Sequence, residues 1–404
     1  MTATDPAPRF TLARLIGGHI CLHACMAGLR MAAPLLALTQ GYSALAVGVL
    51  MALFSLTQIF LALPAGRYAD RHGLRRPIRY SVIAATTGTA LAALFPAFGM
   101  LCLAALLSGG ATGAASIALQ RHVGRAARDA TELKQMFSWL SIGPATSNFL
   151  GPLAAGLLID HAGVWLGGAA GDLTGYRSAF LLMALLPLLT WFLVRRTPEL
   201  PPAAAATEPG KRRAWDLLRE PMMRRLLLVN WFLSSCWDVH TFVLPVLGHE
   251  RGYSASTIGM LLGSFALAAT VVRLAMPWLS AHLREWMVIS GAMLATSVIF
   301  GVYPFMPNAW SMGVCSVLLG LVLGSVQPMI MSTLHQITPA NRHGEALGLR
   351  VMSLNGSSVV MPLLFGSIGA VVGVSLVFWV VGGVVGLGSR AAWGLRAPTL
   401  PHAA

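Results

Sequence analysis

Charge is scarce in this chain. Only 10% of its 404 residues are charged, 14 of them acidic against 28 lysines and arginines, while 56% are hydrophobic. A soluble domain carries about 25% charged residues, so composition excludes one. Cysteine is sparse too: Cys21, Cys25, Cys102, Cys236 and Cys315 all fall inside apolar runs, where a thiol acts as a small hydrophobe. That excludes a disulfide framework. No acidic residue accompanies His19, Cys21, His23 and Cys25, so no metal site is expected. No Gly-x-x-x-x-Gly-Lys-Ser/Thr loop is present, which argues against an ATP-driven machine. No nucleophile–base pair, ligand set or phosphate-cradling loop is found, so neither an enzyme nor a bound cofactor is expected. A cleavable signal peptide is not expected, because the first 14 residues are polar and the first apolar run is a full span.

What is present is long apolar runs, each near the roughly 20 residues that cross a bilayer. Twelve are expected: 15–38, 44–65, 78–98, 100–120, 136–159, 178–195, 224–247, 255–279, 286–305, 309–334, 345–369 and 373–393. The net charge of +14 is unevenly placed. Arg67, Arg71, Arg75, Arg76 and Arg79 follow the second run, Arg121, Arg125, Arg128 and Lys134 the fourth, and a cluster from Arg195 to Arg225 the sixth. The loops after runs one, nine and eleven carry no Lys or Arg. Positive charge collects on the cytoplasmic side. The expectation is a multi-pass protein of a bacterial-type inner membrane with both termini cytoplasmic. No basic face interleaves with aromatics, so nucleic acid is not an expected partner.

Gly41-Tyr42-Ser43-Ala44 recurs 211 residues later as Gly252-Tyr253-Ser254-Ala255. The same offset pairs Cys25 with Cys236, Pro34 with Pro245, Gly48 with Gly259, Phe54 with Phe265, Gly109 with Gly320 and Gly113 with Gly324. A one-residue slip then aligns Pro152, Leu153 and Gly156 with Pro362, Leu363 and Gly366. Two halves on one membrane-spanning template are the pattern of a secondary transporter, with the substrate site between the repeats. Residues 196–223, rich in Pro and Ala and then basic, read as a cytoplasmic linker. The expected organisation is a six-helix bundle over 1–195, that linker, and a second bundle over 224–404. Residues 160–177 read as a glycine-rich loop with no evident chemistry.

After the second run stands Gly66-Arg67-Tyr68-Ala69-Asp70-Arg71-His72-Gly73-Leu74-Arg75-Arg76. It resembles the signature loop of the major facilitator superfamily, matching at Gly66, Asp70, Arg71, Gly73, Arg75 and Arg76, with Leu74 at a position that is usually basic. Gly151, Pro152 and Gly156 resemble that family's antiporter motif, with Ser138, Ser147 and Ala155 where glycine is usual. The resemblance spans essentially the whole chain. It implies an all-α membrane protein of 12 transmembrane helices in two pseudo-symmetric six-helix bundles. It also implies a cavity lined chiefly by helices 1, 4, 7 and 10, and a gate in which Asp70 pairs with basic groups and a helix N-terminus of the other half. Arg121 is a candidate partner of that gate, and Gly151 and Pro152 join the gating set. The second half lacks the motif, since Asp70 corresponds to Ala281.

Only Asp238 among the acidic residues lies well inside an expected span. Ionisable groups at such depth are costly and usually functional. His19, His23, Ala27 and Arg30 form one helical stripe, and Asn230, Ser234, Asp238 and Thr241 form its repeat-related counterpart. Both stripes are expected to face a cavity, with Arg30 opposite Asp238. Asp238 and Arg30 are thus candidates for proton coupling, or for a static interhelical ion pair. His19, His23, Arg30, Gln120, Asn230, Ser234, Trp237, Asp238, Thr241 and Gln327 are candidates for substrate contact. Gln327 precedes Pro328, where broken backbone bonding could expose a carbonyl. Arg273 and Arg350 either snorkel to the cytoplasm or bind an anion, and His335 reads as interfacial. The expected partners are a small-molecule substrate, protons and the lipid bilayer, with the chain a monomer. The expected activity is proton-coupled export of a small polar, zwitterionic or anionic compound or a drug. The alternative is uptake of an organic anion or metabolite.

Overall fold

The computed structural model describes residues 8–126, 130–199, 214–279, 284–338 and 343–396. The first half holds α1 (Pro8–Thr39), α2 (Ala44–His72), α3 (Arg75–Leu94), α4 (Phe98–Ala126), α5 (Ala130–Trp165) and α6 (Leu173–Val194). The second holds α7 (Pro221–Glu250), α8 (Ala255–Leu279), α9 (Glu285–Val302), α10 (Ala309–Ile337), α11 (His343–Val372) and α12 (Val374–Trp393). Ten of these helices are long and apolar enough to cross a membrane; the other two are α3, which opens on Arg75 and Arg76, and α5. Half of the expected linker, 200–213, lies outside the described residues, and its later part holds a 3-10 turn at Ala214–Arg219. α7 starts at Pro221, three residues earlier than the apolar run, because proline suits the first helical turn.

The repeated Gly-Tyr-Ser-Ala is a stop-and-start signal used twice. Gly41 and Gly252 end α1 and α7 with φ of 83° and 70°, a region that L side chains rarely adopt. Ser43 and Ser254 then cap the next helix, accepting from the backbone N–H of Ala46 and Thr257, each at 3.3 Å. The turns are tied down symmetrically too. Gln40 Nε2 donates to the Pro96 carbonyl at 2.7 Å, and Arg251, its repeat counterpart, donates to the Met306 carbonyl at 2.7 Å.

Within the first half α1 packs on α5 and α6, α2 on α4, and α3 on α4 and α6. The second half repeats this: α7 packs on α11 and α12, α8 on α10, and α9 on α12. The halves meet along α2 with α11, along α5 with α8, and where α1 reaches α7. These interfaces close at the end carrying the α1–α2 and α7–α8 turns, here the turn end; the opposite, arginine-rich end is the basic end. Gly48 abuts the Pro362 carbonyl, and a Cβ on its counterpart Gly259 would stand 2.6 Å from the Pro152 carbonyl oxygen. Likewise, a Cβ on Gly156 would meet the Ala255 carbonyl oxygen at 2.5 Å, and one on Gly366 that of Ala44 at 2.7 Å. Small residues at such crossings let membrane helices approach closely.

The segment read as a loop without chemistry begins inside α5. Asp160, in its last turns, accepts from the backbone N–H of Ala255 at 3.1 Å and of Ser256 at 2.7 Å. It caps α8 across the boundary between the halves, where a carboxylate is favoured by the helix dipole.

Candidate functional site

A cavity of about 420 Å³ lies between the halves at mid-depth. α1 contributes His23, Met26, Ala27, Arg30 and Met31, α2 Met51, Ser55 and Gln58, and α5 Pro144, Asn148 and Pro152. From the other half come Trp237 and Thr241 of α7, Leu262, Phe265 and Ala266 of α8, and Leu354, Asn355 and Ser358 of α11. The expectation that helices 4 and 10 line it with 1 and 7 is therefore corrected: among the described residues α2, α5, α8 and α11 take that place. α4 packs on α2 and α3, and α10 on α8 and α9, outside the cavity wall. A larger crevice of about 580 Å³, with Asp160 and Tyr176 in its wall, opens at the turn end and holds neither Arg30 nor Asp238.

Asp238 is only 4% exposed and is the one buried carboxylate among the described residues. It sits just behind the cavity wall. Ser357 Oγ donates to its Oδ2 at 2.9 Å, and Ser358 Oγ to its Oδ1 at 3.1 Å. Ser235 joins this group, with its Oγ 3.3 Å from that of Ser357. Arg30 lines the cavity, and its charge acts on that of Asp238 across the boundary between halves. No N–O approach of 4.0 Å or less joins the two. Asp238 is thus bonded to its own half and only attracted to the other.

His23, Arg30, Trp237 and Thr241 meet at the cavity, as expected, and the Thr241 hydroxyl donates back to the Trp237 carbonyl at 3.1 Å. Five other expected contacts lie elsewhere. His19 packs against α4 and α5, its Nε2 3.1 Å from Ser116 Oγ. Asn230 is buried away from the cavity, with both amide atoms lacking a described partner. Ser234 is half-buried outside the wall, Gln120 is exposed, and the Gln327 side chain accepts from Arg350. Helical spacing puts a stripe on one face, but the neighbouring helix decides what that face meets.

The sequence reading missed Gln58, Asn148, Asn355, Ser357 and Ser358. A signal existed for three of them. The one-residue slip that pairs Pro152 with Pro362 also pairs Ser147 with Ser357 and Asn148 with Ser358. Ser147 uses its hydroxyl on the Ile20 and Gly143 carbonyls, at 2.9 and 2.7 Å, and Ser357 turns the same position on Asp238.

The expected gate is mostly helix. Gly66, Asp70 and Arg71 belong to α2, and Arg75 and Arg76 already belong to α3. The Asp70 and His335 side chains lie outside the described residues. Gly66 packs toward Ile117 of α4, and Arg121 lies in the last turns of that helix. Glu199, just past α6, accepts from the backbone N–H of Leu74 at 2.8 Å and of Arg75 at 2.6 Å. The Arg75 guanidinium donates to the Thr197 carbonyl at 2.9 and 2.7 Å. Gly151 crosses α1, where a Cβ would stand 2.7 Å from the Ala24 carbonyl oxygen.

Known proteins share this fold. The model of the Major Facilitator Superfamily matches residues 15–283 and 226–403. The class B tetracycline resistance protein of Escherichia coli is 27% identical over 336 residues, covering 79% of this chain and 77% of the relative. The class D protein of Salmonella ordonez is 26% identical over 334 residues, covering 79% and 78%. A bacterial homolog of the human lysosomal transporter Spinster, in an inward-facing and occupied conformation, superposes with a TM-score of 0.82 at 13% identity, covering 97% of both chains. The nucleoside transporter NupG superposes with a TM-score of 0.73 at 13% identity, covering 96% of this chain and 100% of that one. With twelve α-helices among the described residues in two repeat-related sets and a family match across both, this chain is a multi-pass membrane protein that belongs to the major facilitator superfamily of secondary transporters and resembles its efflux branch.

Proposed function

We propose that the chain is a proton-coupled antiporter that exports a small polar, zwitterionic or anionic molecule by rocking its two bundles about the central cavity. The basic end faces the cytoplasm, and the molecule works as a monomer. The observation that carries this reading is Asp238, a buried carboxylate bonded to Ser357 and Ser358 and attracted by Arg30 of the opposite bundle. Burial disfavours a charged carboxylate and a nearby guanidinium favours it. Rocking changes the distance between α1 and α7, hence the balance between those effects, and so links proton occupancy to conformation. The substrate lies between His23 and Arg30 on one side and Trp237 and Thr241 on the other. Gly66, Asp70, Arg71, Gly73, Arg75 and Arg76 gate the basic end. Likeness to proteins named for tetracycline resistance supports the outward direction, because expelling a toxic compound confers resistance to it.

Everted vesicles with an acidic interior test the proposal. Compounds from a panel of anions, cations and zwitterions should dissipate the pH gradient only when the protein is present, and Asp238→Asn should abolish that dissipation. Anion uptake into intact cells, without gradient dissipation by any compound, would replace export by import with Arg30 as the carboxylate clamp. Unchanged dissipation in Asp238→Asn would remove the coupling role.

A further inference from the structure

A second pair of charges lies between the cavity and the basic end. Arg273 of α8 and Arg350 of α11 are half-buried, and the like charge of Arg273 acts on Arg350. The Nε of each is buried with no hydrogen-bond partner. Arg350 donates one bond to Gln327 Oε1 of α10. The Arg273 guanidinium lies over Trp237, its central carbon 5.6 Å from the ring centroid. Among the described residues no carboxylate bonds either group, and the one buried acid, Asp238, is bonded by two serines and attracted by Arg30. Snorkelling carries the tips of such arginines toward water, but here each Nε stays buried and Arg350 turns one nitrogen onto Gln327. Two half-buried like charges, with no carboxylate bonded to either among the described residues, repel each other, and an anion between them offsets that repulsion.

Position points the same way. Trp237 lines the cavity and carries Arg273 against its ring. Arg350 stands one helical turn before the cavity residue Leu354, and Arg273 two turns after the cavity residue Ala266. A molecule with a negative head and an apolar body could hold its head at the arginines and lay its body against Trp237 and Phe265. Arginine suits this role because its planar fork binds oxyanions with two parallel bonds.

We propose that Arg273 and Arg350, supported by Gln327 and Trp237, form the head-group site for an amphipathic organic anion, a carboxylate, sulfonate or phosphate ester free in the cytoplasm. This rests on the transporter reading and names its substrate class.

The test is equilibrium dialysis with the full chain in phosphatidylcholine nanodiscs. The probes are naphthoate, naphthalenesulfonate and naphthyl phosphate, with neutral methyl naphthoate and cationic naphthylmethylammonium as controls. At least one anion should bind about tenfold tighter than the ester and the cation, the size of one charge-assisted bond. Arg273→Gln and Arg350→Gln should each remove about tenfold of that preference while leaving ester binding unchanged. Should either variant fail to fold, Arg273→Lys and Arg350→Lys, which keep the charge but lose the fork, should give a smaller loss of the same sign. No preference for any anion, or a preference that survives every substitution, overturns the site. So does displacement of the anions by phosphatidylglycerol added to the nanodiscs, which would make the occupant a lipid head group. The same protein assayed for pH-gradient dissipation separates the two claims. Anion binding without dissipation leaves the site and removes proton exchange; dissipation by cations alone does the reverse.

Discussion

Asp160 of α5 holds the first two backbone N–H groups of α8, those of Ala255 and Ser256, at 3.1 and 2.7 Å. It is a side-chain clasp joining the two halves at the turn end, close to where Gly156 crosses Ala255. Replacing the carboxylate by an amide forfeits its charge at a helix N-terminus. Asp160→Asn should shift the opening equilibrium of that end by about 1–2 kcal/mol, roughly five- to thirtyfold. Leu35 is buried in the wall of the crevice there, so Leu35→Cys in a cysteine-free background reports it. An impermeant maleimide should label that cysteine faster by about this factor; equal rates would show that Asp160 does not hold the end closed.

The glycine crossings make a paired prediction. Gly48→Ala drives a methyl group into the Pro362 carbonyl, and Gly259→Ala drives one into that of Pro152. Overpacking of this kind costs about 1–3 kcal/mol. Both variants should unfold at lower temperature by similar amounts, since the sites are repeat-related. Gly291→Ala, where nothing lies within 4 Å, should be neutral or slightly stabilising.

Arg30 and Asp238 should behave as a coupled pair. The two attract without touching, so losing either charge removes that compensation from the other, whereas neutralising both leaves no orphan. Arg30→Gln and Asp238→Asn should each lower thermal stability, and the double variant should be more stable than the additive sum. Strict additivity in that cycle would mean that the two charges do not act on each other.

Glu199 predicts a local effect at the opposite end. It satisfies the N–H groups of Leu74 and Arg75 at the start of α3. Glu199→Ala should cost about 1 kcal/mol, typical of a lost helix cap. Hydrogen exchange at Leu74 and Arg75 should quicken about fivefold while amides in the middle of α3 stay unchanged.

Much of this was legible in the sequence. The register of the repeat names both partners of most crossings, and depth within a run singles out Asp238. The slip of the repeat marks Ser357 and Ser358 by their polar counterparts, but not that they meet Asp238. Ser357 and Ser358 look like ordinary membrane serines, which commonly bond their own helix, until α11 is laid against α7. The cavity wall failed for a related reason. Spacing places Ser108, Thr112, Ser116 and Gln120 of α4 on one face, yet Ser116 meets His19 and Gln120 is exposed. Asp160 escaped notice because its partners lie 95 and 96 residues away, in the other half.

The crossings at Gly48, Gly156, Gly259 and Gly366 pit main-chain carbonyls against positions with no side chain. Apart from the Asp160 clasp, sealing of the turn end is therefore written in the backbone, whereas the cavity wall is written in side chains deeper in the bundle. The two meet at Pro152, whose carbonyl faces Gly259 and which also lines the cavity. If the cavity holds the substrate as proposed, exchanging Met26, Gln58, Asn148, Trp237 and Asn355 refits it to another cargo while the crossings keep their shape.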